Sequence, residues 1–362
     1  MKTTNQRILI VLTMLLATAC GNSGTSYSIL ASADTFKQAS SSFNNQVDLL
    51  WVVDNSSSMD PLQNNMTANF NSFINQFVTK GYDFHLAVTT TDAYMADAAF
   101  DNTPSESKFR DGVGSTHTGV FTILPNTANL INVFVTNASQ GGNGSGDERA
   151  FSSMRSALSN TAQNGNFVRT NSYLGIIILS DEDDFSSATR PEYSWLFSHG
   201  VADHSYSYSG LDPVSMYVSY LDSLTASTGA TRRYSVNAIT VKDTTCLNAH
   251  VAQSSSSIIG QRYIDLAGQT NGVVGSICDS SYASTLNAIQ QNIVELSTQF
   301  YLTKTPDVST IVVIVNGATV ANDASNGWTY SVAANSITFH GSAVPAEGAA
   351  ISVNFTPTSL SN

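Results

Sequence analysis

The sequence predicts an α/β protein: a Rossmann-like, doubly wound and mainly parallel sheet, followed by a small all-β, sandwich-like module. Three observations carry this. Residues 47–53, VDLLWVV, are a short apolar run, interrupted only by Asp48 and rich in β-branched and aromatic side chains, as expected of a strand buried on both faces. Similar runs at 84–88, 174–179 and 234–241 alternate with segments whose apolar residues recur every three or four positions. Beyond Pro306 the alternation stops. Short strand-like runs at 311–315, 328–332, 336–339 and 350–355 are separated there by Asn316-Gly317, Asn326-Gly327 and the turn residues 345–348.

Taken in order, residues 1–19 read as a signal segment. Lys2 and Arg7 supply the positive start, and residues 8–16 form an apolar stretch too short to span a bilayer. Ala17-Thr18-Ala19-Cys20 resembles a bacterial lipobox, with Ala where the pattern often has Leu. The resemblance implies a lipid on Cys20, and Gly21 behind it implies sorting to the outer membrane of a Gram-negative envelope. An ordinary signal peptide cleaved near a cysteine is the alternative. Residues 20–45, poor in large apolar side chains, read as a flexible tether. The α/β domain is then expected over 46–303 and the β module over 304–362.

Within the α/β domain, Asp60-Pro61 opens a helix with Leu62, Met66, Phe70, Phe73, Ile74 and Phe77 on one face, and Gly81 ends it. The next strand finishes at Asp92, which reads as a turn cap. Residues 93–144 lose the helical period, and long loops at the ligand edge of a rigid sheet carry specificity. A glycine-rich turn at 141–146 precedes a helix bearing Phe151, Met154 and Leu158. The strand at 174–179 runs into Asp181-Glu182-Asp183-Asp184. A second irregular stretch, 185–210, holds His199, His204 and several aromatics. These read as local packing or a contact surface. Further helical faces follow around Tyr217, Tyr263 and Ile289, with a short strand at 272–277 between the last two.

Composition narrows the function. Apolar residues make up 42% and charged residues 12%, so Ser, Thr, Asn and Gln must cover much of the surface, which suits an exported protein. With the signal segment removed, 13 Lys and Arg face 27 Asp and Glu, a net charge of −14. Such acidity argues against nucleic acid and against electrostatic docking on anionic lipid. After Cys20 only Cys246 and Cys278 remain. In an oxidising envelope they read as one disulfide, with two buried thiols or a metal pair as alternatives.

The chemistry concentrates where residues 47–53 end. Asp54, Ser56 and Ser58 form D-x-S-x-S at the carboxyl end of a strand, where open α/β sheets bind ligands. A carboxylate and two hydroxyls in one turn are hard oxygen donors suited to Mg²⁺ or Mn²⁺. Alone, the pattern is equally a solvated turn.

From about Val47 to about Leu296 the chain resembles the von Willebrand factor A domains, whose metal-ion-dependent adhesion site begins with this pattern. The resemblance implies Mg²⁺, with Mn²⁺ or Ca²⁺ as alternatives. By the same resemblance Ser145 stands where the family has Thr, with Asp147 and Glu148 as competitors. Asp181 stands at the family's distal carboxylate. Ser56, Ser58 and Ser145 would ligate directly, and Asp54 and Asp181 directly or through water. An acidic group from a protein or matrix partner would complete the coordination. The family's sheet order would also bring Cys246 and Cys278 together. The expectation is therefore a lipid-anchored envelope protein that binds its partner through a divalent ion. The alternatives are a scaffold with a non-functional metal site and a metal-dependent hydrolase. For the last, no catalytic Lys, Ser-His-Asp order or phosphate loop is found.

Overall fold

A computed structural model describes residues 36–38, 45–188, 210–227, 232–250, 257–346 and 348–358. The Cys20 lipobox, most of the expected tether, and His199 and His204 lie outside the described residues. Among the described residues no helix is long and apolar enough to cross a membrane.

The chain runs through β1 (Phe36–Gln38), β2 (Gln46–Val53), α1 (Asp60–Thr79), β3 (Asp83–Thr90), α2 (Leu130–Ala138), α3 (Ala150–Ser159) and β4 (Tyr173–Ser180). It continues through α4 (Val214–Leu224), β5 (Tyr234–Thr240), α5 (Thr244–His250), α6 (Gln261–Gln269), β6 (Val274–Ser276) and α7 (Ala283–Ser297). The C-terminal strands are β7 (Phe300–Tyr301), β8 (Val312–Val315), β9 (Ala318–Val320), β10 (Trp328–Ser331), β11 (Ser336–Phe339) and β12 (Ile351–Phe355).

Five strands form a parallel sheet in the order β3-β2-β4-β5-β6. Period two decides what each strand buries. On β2, Leu49, Trp51 and Val53 enter a core with Phe70 and Phe73 of α1 and Ile289 and Ile293 of α7. Leu50 and Val52 enter a second core with Phe151 and Met154 of α3, Tyr217 of α4 and Leu266 of α6. Both faces are thus covered by helices, which explains why residues 47–53 carry no polar alternation apart from Asp48. Asp48 is buried and held by Arg169 and by the Ser172 hydroxyl. Gly175 of β4 leaves room for Ile293, since a Cβ there would come within 2.7 Å of its side chain.

The C-terminal region forms two antiparallel sheets, β1-β12-β8-β9 and β10-β11-β7. Val313, Ile351 and Phe355 of the first, and Trp328, Ile337 and Phe339 of the second, join the core that continues beneath α1 and α7. Glu295 of α7 bonds to His340 at 3.0 Å, and Gln299 to Thr338 at 3.3 Å. Two boundaries differ from expectation. Phe36–Gln38, read as tether, pairs with β12, and Phe300–Tyr301 pairs with β11 although it precedes residue 304. Strands of two or three residues show no period in sequence, and they form here because neighbouring strands offer unpaired edges.

Candidate metal centre

The sheet order places the first loop. From β2 the chain steps to β3 on one side, then returns to β4 on the other. The crevice between β2 and β4 is therefore the topological switch point, where ligands bind in open α/β sheets. Asp54 leaves β2 there and Asp181 leaves β4. The Asp54 N–H still donates to Leu179 O at 2.9 Å, so the two strands remain zipped up to the site.

Asp54 is fully buried. Its Oδ1 accepts the Ser56 N–H at 2.8 Å and its Oδ2 the Ser180 hydroxyl at 2.7 Å. The turn so fixed sets the Ser56 and Ser58 hydroxyl oxygens 3.3 Å apart, and Ser58 donates to Asp181 Oδ1 at 3.0 Å. Four of the five predicted residues thus form one connected chain: Asp54, Ser56, Ser58, Asp181. Asp181 Oδ2 accepts from the Ser257 hydroxyl and from His250 Nε2, both at 3.0 Å.

The glycine-rich loop packs directly on this turn. A Cβ on Gly142 would sit 3.0 Å from the Ser57 backbone, and Gly144 N–H donates to Asn55 O at 2.7 Å. Ser145 is joined to the first loop through Asp92, whose carboxylate accepts both the Ser145 N–H and Asn55 Nδ2. The Ser145 hydroxyl accepts the Asp147 N–H at 3.0 Å. Asp147 also pairs with Arg149 at 2.9 Å. Glu148 is fully buried, its carboxyl close to the Thr91 side chain and within reach of the charges of Asp54 and Glu182. Asp92, read as a turn cap, makes no capping bond and instead bridges two loops. Asp184 is held by Arg262 at 3.1 Å, by Phe151 N–H and by Ser186, and Asp183 accepts the Arg262 N–H.

Gln63 of α1 ties the two loops together. Its Nε2 donates to Asp54 O and Gly141 O, and its Oε1 accepts from the N–H groups of Gln140 and Gly141. Neither Gln63 nor His250 was visible as a site residue in the sequence, because their partners lie far along the chain. A lone Gln in helical register with Met66 and Phe70 is the signal that was there to be read, and the structure leaves it only 2% exposed.

Burial and mutual repulsion disfavour the ionised form of several carboxyls at this edge. Burial, then the charge of Asp181, push the Asp54 carboxyl up to about 7. Burial and the charges of Asp54 and Glu182 raise Glu148 well above the ordinary carboxylate range. Burial also takes Asp183 up to about 8. Among the described residues no three His, Cys, Asp or Glu side chains form a group able to hold a metal alone. The donors at this edge are instead two carboxylates and two hydroxyls, all hard oxygen. That set fits Mg²⁺ or Mn²⁺ and does not suit a soft ion.

Cys246 and Cys278 form a disulfide, as expected, with Cα atoms 5.6 Å apart. Cys246 follows β5 and Cys278 follows β6, which are neighbours in the sheet.

No protein-family model matches the chain, and no curated protein matches it in sequence. Solved structures that match include the pilus adhesin SpaC of Lactobacillus rhamnosus GG in its open conformation, at 11% identity and a TM-score of 0.40, over 86% of this chain and 38% of that one. They also include proximal thread matrix protein 1 from the mussel byssus, at 10% identity and a TM-score of 0.36, over 75% of this chain and 52% of that one. The chain spans about half or less of the length of either.

Proposed function

We propose that this is a binding protein of the von Willebrand factor A type that engages a protein or matrix partner through a divalent ion. The observation that carries the reading is the contact chain of Asp54, Ser56, Ser58 and Asp181 at the switch point of the parallel sheet. Ser56 and Ser58 would hold Mg²⁺ or Mn²⁺ through their hydroxyls. Asp54 and Asp181 would supply the balancing charge, and Ser145, or else Asp147 or Glu148, would add a ligand from the glycine-rich loop and the start of the helix behind it. The bound ion supplies a Lewis-acidic point that takes up a carboxylate from the partner. Asp54 orients the turn through the Ser56 N–H, Asp181 aligns Ser58, and Gln63 keeps the two loops in register. In the same reading the protein is not an enzyme. Cys20 carries a lipid that anchors it in the outer membrane, with the residues after Cys20 as its leash.

Calorimetric titration of Mg²⁺ and Mn²⁺ tests the site. The wild type should bind one ion, and Asp54→Ala should lose binding while keeping a cooperative melt. Retention on immobilised matrix proteins should disappear in chelator and in Asp54→Ala. Equal affinity in the variant and the wild type would sink the assignment. Mass analysis of the mature N-terminus, with a Cys20→Ser control, tests the anchor. A mature chain beginning elsewhere or lacking acyl groups would rule it out.

A further inference from the structure

We infer that His250 is a positioning residue for the candidate ion ligand Asp181, and that the Cys246–Cys278 disulfide is the brace that holds it in place. The inference rests on the metal reading of this sheet edge. Asp181 is fully buried and its two oxygens face different neighbours. Oδ2 accepts from His250 Nε2 and Ser257, which leaves Oδ1 turned toward Ser58 at 3.0 Å. A carboxylate pinned at one oxygen presents the other in a fixed direction, which is how a residue behind a ligand raises its affinity for an ion.

His250 is the last residue of α5, a helix of only seven residues. Two such turns hold little order on their own. Cys246 lies one helical turn before His250, so both side chains share a face. Both are buried on that face. The start of α5 is tied by Asp243, whose Oδ1 accepts the Cys246 N–H at 2.8 Å, and the disulfide then bonds the helix to the segment after β6. The covalent link is thus four residues from the imidazole that orients Asp181.

The test is Mn²⁺ affinity by calorimetry, with the electron paramagnetic resonance spectrum of bound Mn²⁺ as a second readout. His250→Ala should weaken binding by about 10–100-fold, the usual loss when a ligand's supporting group is removed. His250→Gln keeps an N–H donor near the same place and should recover affinity to within about threefold of the wild type, which a purely space-filling role does not predict. The double substitution Cys246→Ser, Cys278→Ser should weaken binding in the same direction. Added to His250→Ala it should cause little further loss, because both act through one contact. If the wild type binds Mn²⁺ and His250→Ala binds within about twofold of it, the inference is overturned and the metal site stands. If the wild type itself binds no ion, the metal reading fails, and this inference with it. Should His250→Ala lose its cooperative melt, the comparison of the Cys double variant with the wild type decides. Unchanged affinity there overturns the brace.

Discussion

Asp54 answers to two opposed demands, burial and charge. Its folded-state value near 7 lies above the ordinary 3.8, so between those pH values the folded protein keeps a proton that the unfolded chain has already lost. Stability from this group is therefore greatest below about pH 4 and falls as pH rises toward 7. Glu148 and Asp183 are shifted in the same direction. The ion-free protein should melt at lower temperature at pH 8 than at pH 5. Saturating Mg²⁺ should narrow that gap, and ion affinity should climb with pH until Asp54 has ionised. Scanning calorimetry across the range with and without Mg²⁺ checks this. An ion-free melting temperature that rises steadily from pH 5 to 8 would contradict it. Asp54→Asn keeps the shape and removes the charge. It should abolish ion binding and stabilise the ion-free protein at pH 8, by on the order of 1–3 kcal/mol. Hydrophobic pattern located the strand ends at Asp54 and Asp181, while the choice of Asp54, Ser56, Ser58 and Asp181 as a set came from the D-x-S-x-S spacing and the family resemblance. Asp92 and His250 were not legible in the sequence, because their roles come from partners 53 and 69 positions away.

At the scale of elements, the junction of α1 with the two loops is where backbone and side chain depend on each other most. Gln63 satisfies buried backbone groups in two loops, 9 and 78 positions away. Gln63→Ala leaves those groups without partners and should cost about 1–3 kcal/mol, with a loss of ion affinity that exceeds the loss expected from stability alone. Urea unfolding alongside ion titration separates the two effects. Gly142 meets the Ser57 backbone, so Gly142→Val should displace the D-x-S-x-S turn and weaken ion binding. The disulfide closes a separation of 32 residues, and its removal should cost about 3–4 kcal/mol by chain-entropy reasoning. Intact mass with and without reduction before alkylation, followed by thermal melts, measures both the bond and its contribution. Long helices such as α1 were readable from their three- and four-residue period and the central strands from their continuous apolar runs, whereas α2 (Leu130–Ala138) lies in a stretch that reads as having lost the helical period. The short strands Phe36–Gln38 and Phe300–Tyr301 carry no period, and only the edges they pair with define them.

For the whole molecule, the order of the five parallel strands turns a sequence motif into a place. Neighbouring strands carry Asp54 and Asp181 to one crevice, and a single core runs from the sheet, beneath α7, into the β region. A chain ended before β7 would uncover that core and should aggregate or melt well below the full protein, measurable by light scattering during a thermal ramp. The pairing of β1 with β12 has a mechanical consequence. Tension applied to the N-terminal side of the chain meets three backbone pairs at Phe36, Lys37 and Gln38 before it reaches β2, which is bonded along its length to β3 and β4. The small strand would detach first. That release would leave the five-stranded parallel sheet intact. In a pulling experiment this would register as a short, low-force extension ahead of the main rupture. The first strand would then act as a mechanical fuse, yielding before the sheet does.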